Sequence, residues 1–398
     1  MDNMFKLYFK NKNEYNNIYE NRYNSENTIH FHFKIENDYA FYYYHNEIMN
    51  IIYNINKLDK EVSNILNMLP SIAREEYKKR SLIDEIFFTN EIEGVVSTRK
   101  EISEVIDDIK SKAKEKNRIH SLVHKYLMLN TNDDNIMNLE DIRKTYDELV
   151  LAEIDKEDYP DGVLFRKDLV YVKGRTEKIL HTGVYPEEKI NSILLEGLNI
   201  LNDDNIDLLV RVAIFHYIFS FVHPFYDGNG RTDRYISSLY LKKYYNSIIS
   251  YRLSLTIKES INNYYEAFKM TNSKYNKGDI TTFVFEFVNI VKTAFEKTIN
   301  YLSQKRALLD EKKNLLDELT VVKEEKINNE LKKILYILMQ VDIFGEYPIN
   351  RVNLSNATNL SLPTLNKLLA ILEEKELIIK IKESKAFLYS INTEKFKG

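Results

Sequence analysis

The sequence predicts a mainly α-helical protein with a small β-hairpin near its middle and a mixed helix–strand unit at its end. Three observations carry that reading. Gly 10 and Pro 6 among 398 residues are too few for a β-protein assembled from many tight turns. A hydrophobic fraction of 44% with 29% charged residues places the chain among globular proteins. Apolar residues recur at helical spacing along most of the length, and strand-like alternation is confined to short runs.

Taken in order, residues 1–44 are rich in Asn and Tyr with alternating aromatics (His30-Phe31-His32-Phe33, then Tyr39 to Tyr44), which suits an irregular arm or a short strand pair. From His45 to about Leu69 the positions Ile48, Ile51, Ile52, Ile55, Leu58 and Val62 repeat as one helix face, and a second helix runs from Ala73 to Glu93. Gly94 stops it, as glycine does just past a helix end. Ser97, with Glu101 nearby, reads as the cap of a third helix through about Lys112. The stretch 119–298 is helical in pattern apart from Asp168 to Thr182, where β-branched alternation around Lys173-Gly174-Arg175 predicts a hairpin. A long polar helix follows from about Phe295 to Leu319, with Asp310 and Lys313 paired at i,i+3. The last unit has helices at Ile327–Met339, Val352–Thr358 and Leu362–Glu374, then strand-like runs at Leu377–Ile381 and Ala386–Ile391. That order resembles a winged helix-turn-helix.

Composition narrows the chemistry. With 56 Lys+Arg against 60 Asp+Glu the net charge is −4, so no global positive field recruits nucleic acid or anionic lipid, although a local basic site remains open. Cys 0 removes disulfides, thiol catalysis and thiolate metal sites, which fits a reducing cytoplasm. The N-terminus has no charged stretch leading into an apolar core and does not read as a secretory signal. The most apolar run, Val212 to Val222, contains His216 and is far short of the ~20 residues that span a bilayer, so it reads as a core helix and no membrane association is expected.

One segment concentrates chemistry: His223-Pro224-Phe225-Tyr226-Asp227-Gly228-Asn229-Gly230-Arg231-Thr232-Asp233-Arg234. Asp-Gly-Asn-Gly is a turn whose small residues let backbone N–H groups approach a ligand closely. It runs into a helix starting near Arg231, so the helix N-terminus and two arginines converge on one spot suited to phosphates. Arg231 and Arg234 stand at i,i+3, on one helix face, where each guanidinium can fork onto phosphate oxygens. Asp227 supplies the hard oxygen ligand that a phosphate-bridging Mg²⁺ prefers. His223 is the nearby group able to accept a proton at neutral pH.

Every specified position of this segment resembles the Fic motif, H-P-F-x-D/E-G-N-G-R-x-x-R, and the likeness extends over roughly 119–298. Such a resemblance implies a helical core that transfers AMP from ATP to a Ser, Thr or Tyr hydroxyl of a target protein, itself included, with Mg²⁺ or Mn²⁺ as cofactor. By that resemblance His223 deprotonates the hydroxyl and Asp227 holds the metal. Gly228, Asn229 and Gly230 line an anion hole, and Arg231 and Arg234 hold the outer phosphates. The hairpin becomes a flap, with Val170, Tyr171, Val172, Leu180, His181 and Thr182 receiving a target segment as an added strand. Family resemblance also implies a homodimer.

Thr89-Asn90-Glu91-Ile92-Glu93-Gly94 matches the pattern S/T-x-x-x-E-G/N that inhibits many Fic proteins from an N-terminal helix. The resemblance implies that Glu93, with Thr89 before it and Gly94 after it, pairs with Arg234 and displaces the γ-phosphate; Glu91 is read as a surface residue. The implied organisation is 1–118 with the inhibitory helix, 119–298 the catalytic core, 299–326 a linker helix and 327–398 the winged helix. Two other readings stand beside the autoinhibited transferase: removal of AMP at the same site with Glu93 positioning water, and a winged-helix regulator or scaffold. Against DNA binding, helix 362–374 offers only Thr364, Asn366 and Lys367 as outward polar groups before two glutamates. His120 and His124 at i,i+4 lack a third ligand and read as structural, and His216 reads as a core histidine. Tyr264 and Tyr265 are read either as packing near the adenine or, like most of the 29 tyrosines, as core or surface residues.

Overall fold

The computed structural model describes residues 3–111, 118–129, 135–173, 179–383 and 386–396. The chain divides into two compact units, Met1–Asp59 with Leu82–Glu296, and Lys60–Ser81 with Lys297–Gly398.

The N-terminal segment is a strand pair preceded by two helices, α1 (Met4–Lys10) and α2 (Lys12–Tyr23). The side chains of Asn3 and Asn11 start them by accepting the N–H groups of Lys6 and Glu14. α2 is polar nearly all round, which hid it from pattern reading. Its fold is fixed by tertiary contacts: a buried ion pair joins Arg22 to Asp279 at 2.9 Å, and the Tyr15 hydroxyl donates to the Tyr275 carbonyl at 2.8 Å. Strands β1 (Thr28–Ile35) and β2 (Asp38–Tyr43) pair antiparallel, from Thr28 opposite Tyr43 to Ile35 opposite Asp38. Phe31, Phe33 and Ile35, two apart, form the buried face of β1.

Helices α3 (Asn46–Met68) and α4 (Ser71–Ile92) lie close to the expected spans. α5 (Arg99–Lys110) is capped by Thr98 rather than Ser97, the Thr98 hydroxyl accepting the Glu101 N–H; the expected end at Lys112 lies outside the described residues. α6 (His120–Met128) precedes α7 (Leu139–Leu149), which opens on a reciprocal cap between Asn138 and Asp141. The hairpin is β3 (Tyr171–Lys173) against β4 (Ile179–Thr182), in register Tyr171 with Thr182 and Val172 with His181. Its turn, including Gly174, Arg175 and Lys178, lies outside the described residues.

Next come α8 (Glu187–Leu201), α9 (Leu208–Val222), α10 (Asn229–Tyr244), α11 (Ser247–Ser250), α12 (Leu253–Glu259) and α13 (Ile261–Thr271). α9 is buried on every side apart from Ser220, as the central helix of a core must be. α14 (Thr281–Glu318) begins well before the expected Phe295, because Phe283, Val284, Phe287, Val288 and Val291 already form its buried face. It stops at Glu318, one residue before the expected Leu319.

In the second unit, α15 (Glu325–Phe344), β5 (Ile349–Asn350), α16 (Arg351–Thr358), α17 (Leu362–Glu374), β6 (Ile378–Glu383) and β7 (Ala386–Ile391) follow in the order of a winged helix-turn-helix. The three strands are antiparallel in the order β5-β7-β6. Their core is built from Leu331, Leu335, Leu338, Leu354, Leu365, Leu369, Leu372 and Tyr389. Among the described residues no helix is long and apolar enough to cross a membrane.

Candidate active site

The loop between α9 and α10 carries the motif residues. His223 ends α9 in the left-handed conformation, φ 54°, which an L-residue adopts only under constraint, and its N–H closes the helix on the Phe219 carbonyl at 2.9 Å. The turn is braced by Asn229, whose carboxamide accepts the Phe225 N–H at 2.9 Å and donates to the Phe225 carbonyl at 2.7 Å. Both polar groups of the Asn229 side chain are thereby turned inward onto the loop.

α10 starts at Asn229, two residues before the expected Arg231, with Gly228 (φ 78°) at its N-cap and no side chain capping it. The first-turn N–H groups are therefore left for a ligand. Asp227 stands half-exposed at the mouth, its Oδ1 accepting the Gly228 N–H. Arg231 and Arg234 are both buried. Arg231 Nη1 lies 3.4 Å from Glu153 Oε2, and its Nη2 lies 3.7 Å from Asp227 Oδ2.

The end of α4 meets this cradle. Arg234 donates from Nε to the Thr89 hydroxyl at 2.9 Å, and from Nη2 to the Thr89 carbonyl at 3.0 Å and to Glu93 Oε1 at 2.8 Å. A Cβ built on Gly230 would meet that same Glu93 oxygen at 2.0 Å, so the carboxylate rests directly on the turn, over the start of α10. Gly94, φ 74°, turns the chain away at the end of α4. Glu91 faces outward and pairs with Lys258 at 2.8 Å.

The hairpin roots lie against the end of α9 and the loop that follows it. His181 Nε2 bonds the Phe221 carbonyl at 2.6 Å, and the Val184 N–H donates to the Val222 carbonyl at 3.0 Å. Tyr171, opposite Thr182, is exposed; Val170 precedes β3, where its carbonyl accepts the Gly183 N–H at 3.0 Å, and Val172 and Leu180 complete the strands. Burial, then the neighbouring His181 and Arg166, push the His223 imidazole down to about 3, with a backbone hydrogen bond at Ser220 opposing. The ring is neutral at physiological pH and can take up a proton.

Several residues that the sequence reading did not select join the site. Glu153 pairs with Arg231, and burial raises its carboxyl against that pairing. Glu85 is buried on α4, with the Ser254 N–H and hydroxyl at 2.8 and 2.6 Å. His216 is a core histidine: Nδ1 lies 2.9 Å from Ser237 Oγ and 3.1 Å from Asp233 Oδ1, and Nε2 is 2.7 Å from the Tyr264 hydroxyl. Tyr264 is thus buried in this network, whereas Tyr265 is exposed. Arg166 reaches the His223 carbonyl. Glu153, Glu85 and Arg166 carry no local signal, because their partners Arg231, Ser254 and His223 lie far along the chain.

A family model described as Fic/DOC family matches residues 136–241. Among solved structures, a Fic family protein from Desulfovibrio desulfuricans G20 superposes with a TM-score of 0.53 at 20% identity, covering 89% of this chain and 98% of that one. A Fic-1 fragment from C. elegans gives 0.45 at 22% identity, covering 65% and 73%. A Fic domain containing signaling protein from Bacteroides thetaiotaomicron gives 0.43 at 16%, covering 63% and 97%. The chain carries a Fic/DOC-family domain, and the first of these likenesses extends a mainly helical fold over most of its length. Members of that family commonly transfer AMP or other nucleotide groups to proteins, and typically use ATP and a divalent metal.

Proposed function

We propose that this protein is an autoinhibited protein adenylyltransferase. The observation that carries the proposal is the Glu93 carboxylate lying on Gly230 and bonded to Arg234: a negatively charged group of the chain itself occupies the cradle where phosphate oxygens would bind. The inhibitory region is 1–118, the catalytic core 119–298, the connection 299–326 and the winged helix 327–398.

In the reaction, the hydroxyl oxygen of a target Ser, Thr or Tyr bonds to the α-phosphorus of ATP. The bond from that phosphorus to the β-bridging oxygen breaks, pyrophosphate leaves, and the hydroxyl proton passes to the neutral His223 imidazole. Pre-set N–H groups of Asn229 and Gly230, with the Arg231 and Arg234 guanidinium groups, stabilise charge on the transferring and leaving phosphates. Asp227, the half-exposed carboxylate at the mouth, suits Mg²⁺ or Mn²⁺, which take one or two protein carboxylates and fill their remaining positions with phosphate oxygens and water. A bound cation would neutralise phosphate charge. Val170, Tyr171, Val172, Leu180, His181 and Thr182 receive the target chain along the hairpin edge. Self-modification accompanies target modification, the chain pairs with a second copy of itself, and the winged helix serves either to dock target proteins or to bind DNA.

Intact-mass measurement of Glu93→Gly incubated with Mg²⁺ and ATP tests this reading. A gain of one or more AMP groups, absent from His223→Ala, supports it. A Glu93→Gly chain that releases no pyrophosphate and modifies neither itself nor lysate proteins overturns it, and AMP removal or a purely binding role then becomes the better account.

A further inference from the structure

We propose that Arg166 is a positioning residue that holds the catalytic loop and both roots of the hairpin as one unit, and that Gly183 provides the space it needs. The proposal rests on the reading of His223 as the base.

Arg166 is completely buried, and no carboxylate among the described residues pairs with it. Its guanidinium bonds only backbone carbonyls: Nε donates to His223 at 2.8 Å, Nη1 to Asp168 at 2.5 Å, and Nη2 to Val184 at 2.8 Å and Val222 at 3.2 Å. Its own N–H donates to the Pro224 carbonyl at 3.2 Å. Through its side chain and its own N–H, this one residue thereby contacts three successive loop residues, Val222, His223 and Pro224, together with Asp168 ahead of β3 and Val184 beyond β4.

An isolated buried cation is a poor way to stabilise a core, since desolvation opposes it and an apolar side chain would pack as well. Here burial lowers the guanidinium only to about 10, so it stays charged. The charge has a use: the Val222 and His223 carbonyls belong to the C-terminal end of α9, where unpaired carbonyls and the negative end of the helix dipole favour a cation. The planar fork, with five N–H donors in fixed directions, can bond several carbonyls at once in a way that an ammonium cannot.

Gly183 is an independent second observation. A Cβ there would lie 2.5 Å from Arg166 Nη2 and 2.7 Å from Val170 Cγ1, although its backbone is outside the left-handed region. Close approach, not backbone conformation, accounts for glycine at this position. The same strand exit donates the Val184 N–H to the Val222 carbonyl. A target strand lying on the hairpin therefore has its register set relative to the His223 imidazole by the group that also fixes the loop.

The test uses the Glu93→Gly chain with Arg166→Lys or Gly183→Ala added, read by amide exchange and by transfer kinetics. Exchange should rise roughly tenfold or more at 183–184 and 222–226 together, with α8 and α10 unchanged. The kcat for transfer should fall roughly 10²-fold while KM for ATP moves less than about twofold, as expected when a base is displaced but nucleotide binding is kept. Exchange that rises in only one of the two segments, or equally throughout the unit, overturns the proposal, as does an unchanged kcat. Amide exchange needs no AMP transfer, so a Glu93→Gly chain inactive by itself would refute the assigned reaction while the coupling is still measured. If Arg166→Lys fails to fold, Gly183→Ala keeps the arginine and only crowds it, and the same readouts decide.

Discussion

The Glu93 carboxylate stands 2.8 Å from Nη2 of Arg234, and the same guanidinium is closed on its other side by the hydroxyl and carbonyl of Thr89, one turn earlier on α4. All three acceptors belong to one helix end, so a single movement of that end frees the arginine. An arginine whose donors are engaged in this way is unavailable to a phosphate. Inhibition, on this account, is competition between a carboxylate of the chain and an anionic ligand for one guanidinium and one glycine turn.

The two side chains should contribute unequally. A charge-assisted bond is worth roughly twice a neutral one, so Thr89→Val should raise AMP transfer only about threefold to tenfold, and Glu93→Gly by well over tenfold. Initial rates of label incorporation check this. Equal activation by the two variants would show that helix docking, not the carboxylate, carries the inhibition.

Transfer by the Glu93→Gly chain should be nearly independent of pH between about 5.5 and 8 as far as the base is concerned. Burial with His181 and Arg166 beside it disfavours the imidazolium, so His223 protonates near 3 rather than near its ordinary 6.5. The base therefore stays neutral across that range, and its activity is lost only at lower pH. A kcat profile with an inflection near the ordinary histidine value would contradict the arrangement.

Glu85 gives the docked helix a pH dependence of unusual sign. Burial raises its carboxyl from 4.5 to about 7, against the Ser254 hydrogen bonds and the charges of Arg234 and Arg252. Because the folded value lies above the unfolded one, its contribution to stability is complete below about 4.5 and is lost as the pH rises to about 7. The unfolding stability of wild type relative to Glu85→Gln should fall across that window by an amount on the order of 1–3 kcal/mol and then level off, and the difference in Tm between the two proteins should follow it. Parallel Tm curves for the two proteins would exclude this.

Metal removal separates binding from chemistry. With EDTA, or with Asp227→Ala, transfer should drop at least about 10²-fold in the Glu93→Gly background, and added Mg²⁺ should restore only the chain that keeps Asp227. Restoration of Asp227→Ala at equal Mg²⁺ would place the metal elsewhere.

The parts of this molecule legible in the sequence are those whose cause is local. Leu362–Glu374 is a helix within the residues expected, because Ser361 caps it and Leu365, Leu368, Leu369 and Leu372 share a buried face. The loop motif is contiguous and needs no structure to be noticed. α2 was illegible because it has almost no apolar face and depends on Arg22 meeting Asp279, 257 positions away. Arg166 and Glu153 were missed for the same reason: their partners His223 and Arg231 lie 57 and 78 positions along the chain, and no spacing encodes that meeting. Asn229 is legible as part of the contiguous motif, but that its carboxamide braces Phe225 is visible only in the geometry.

The most direct test is a denaturing gel of wild type, Glu93→Gly and Glu93→Gly with His223→Ala, each incubated with Mg²⁺ and ATP labelled at the α-phosphate. The account predicts faint label on wild type, strong label on Glu93→Gly and none on the double variant. Label on wild type equal to that on Glu93→Gly, or label that survives the loss of His223, would contradict it.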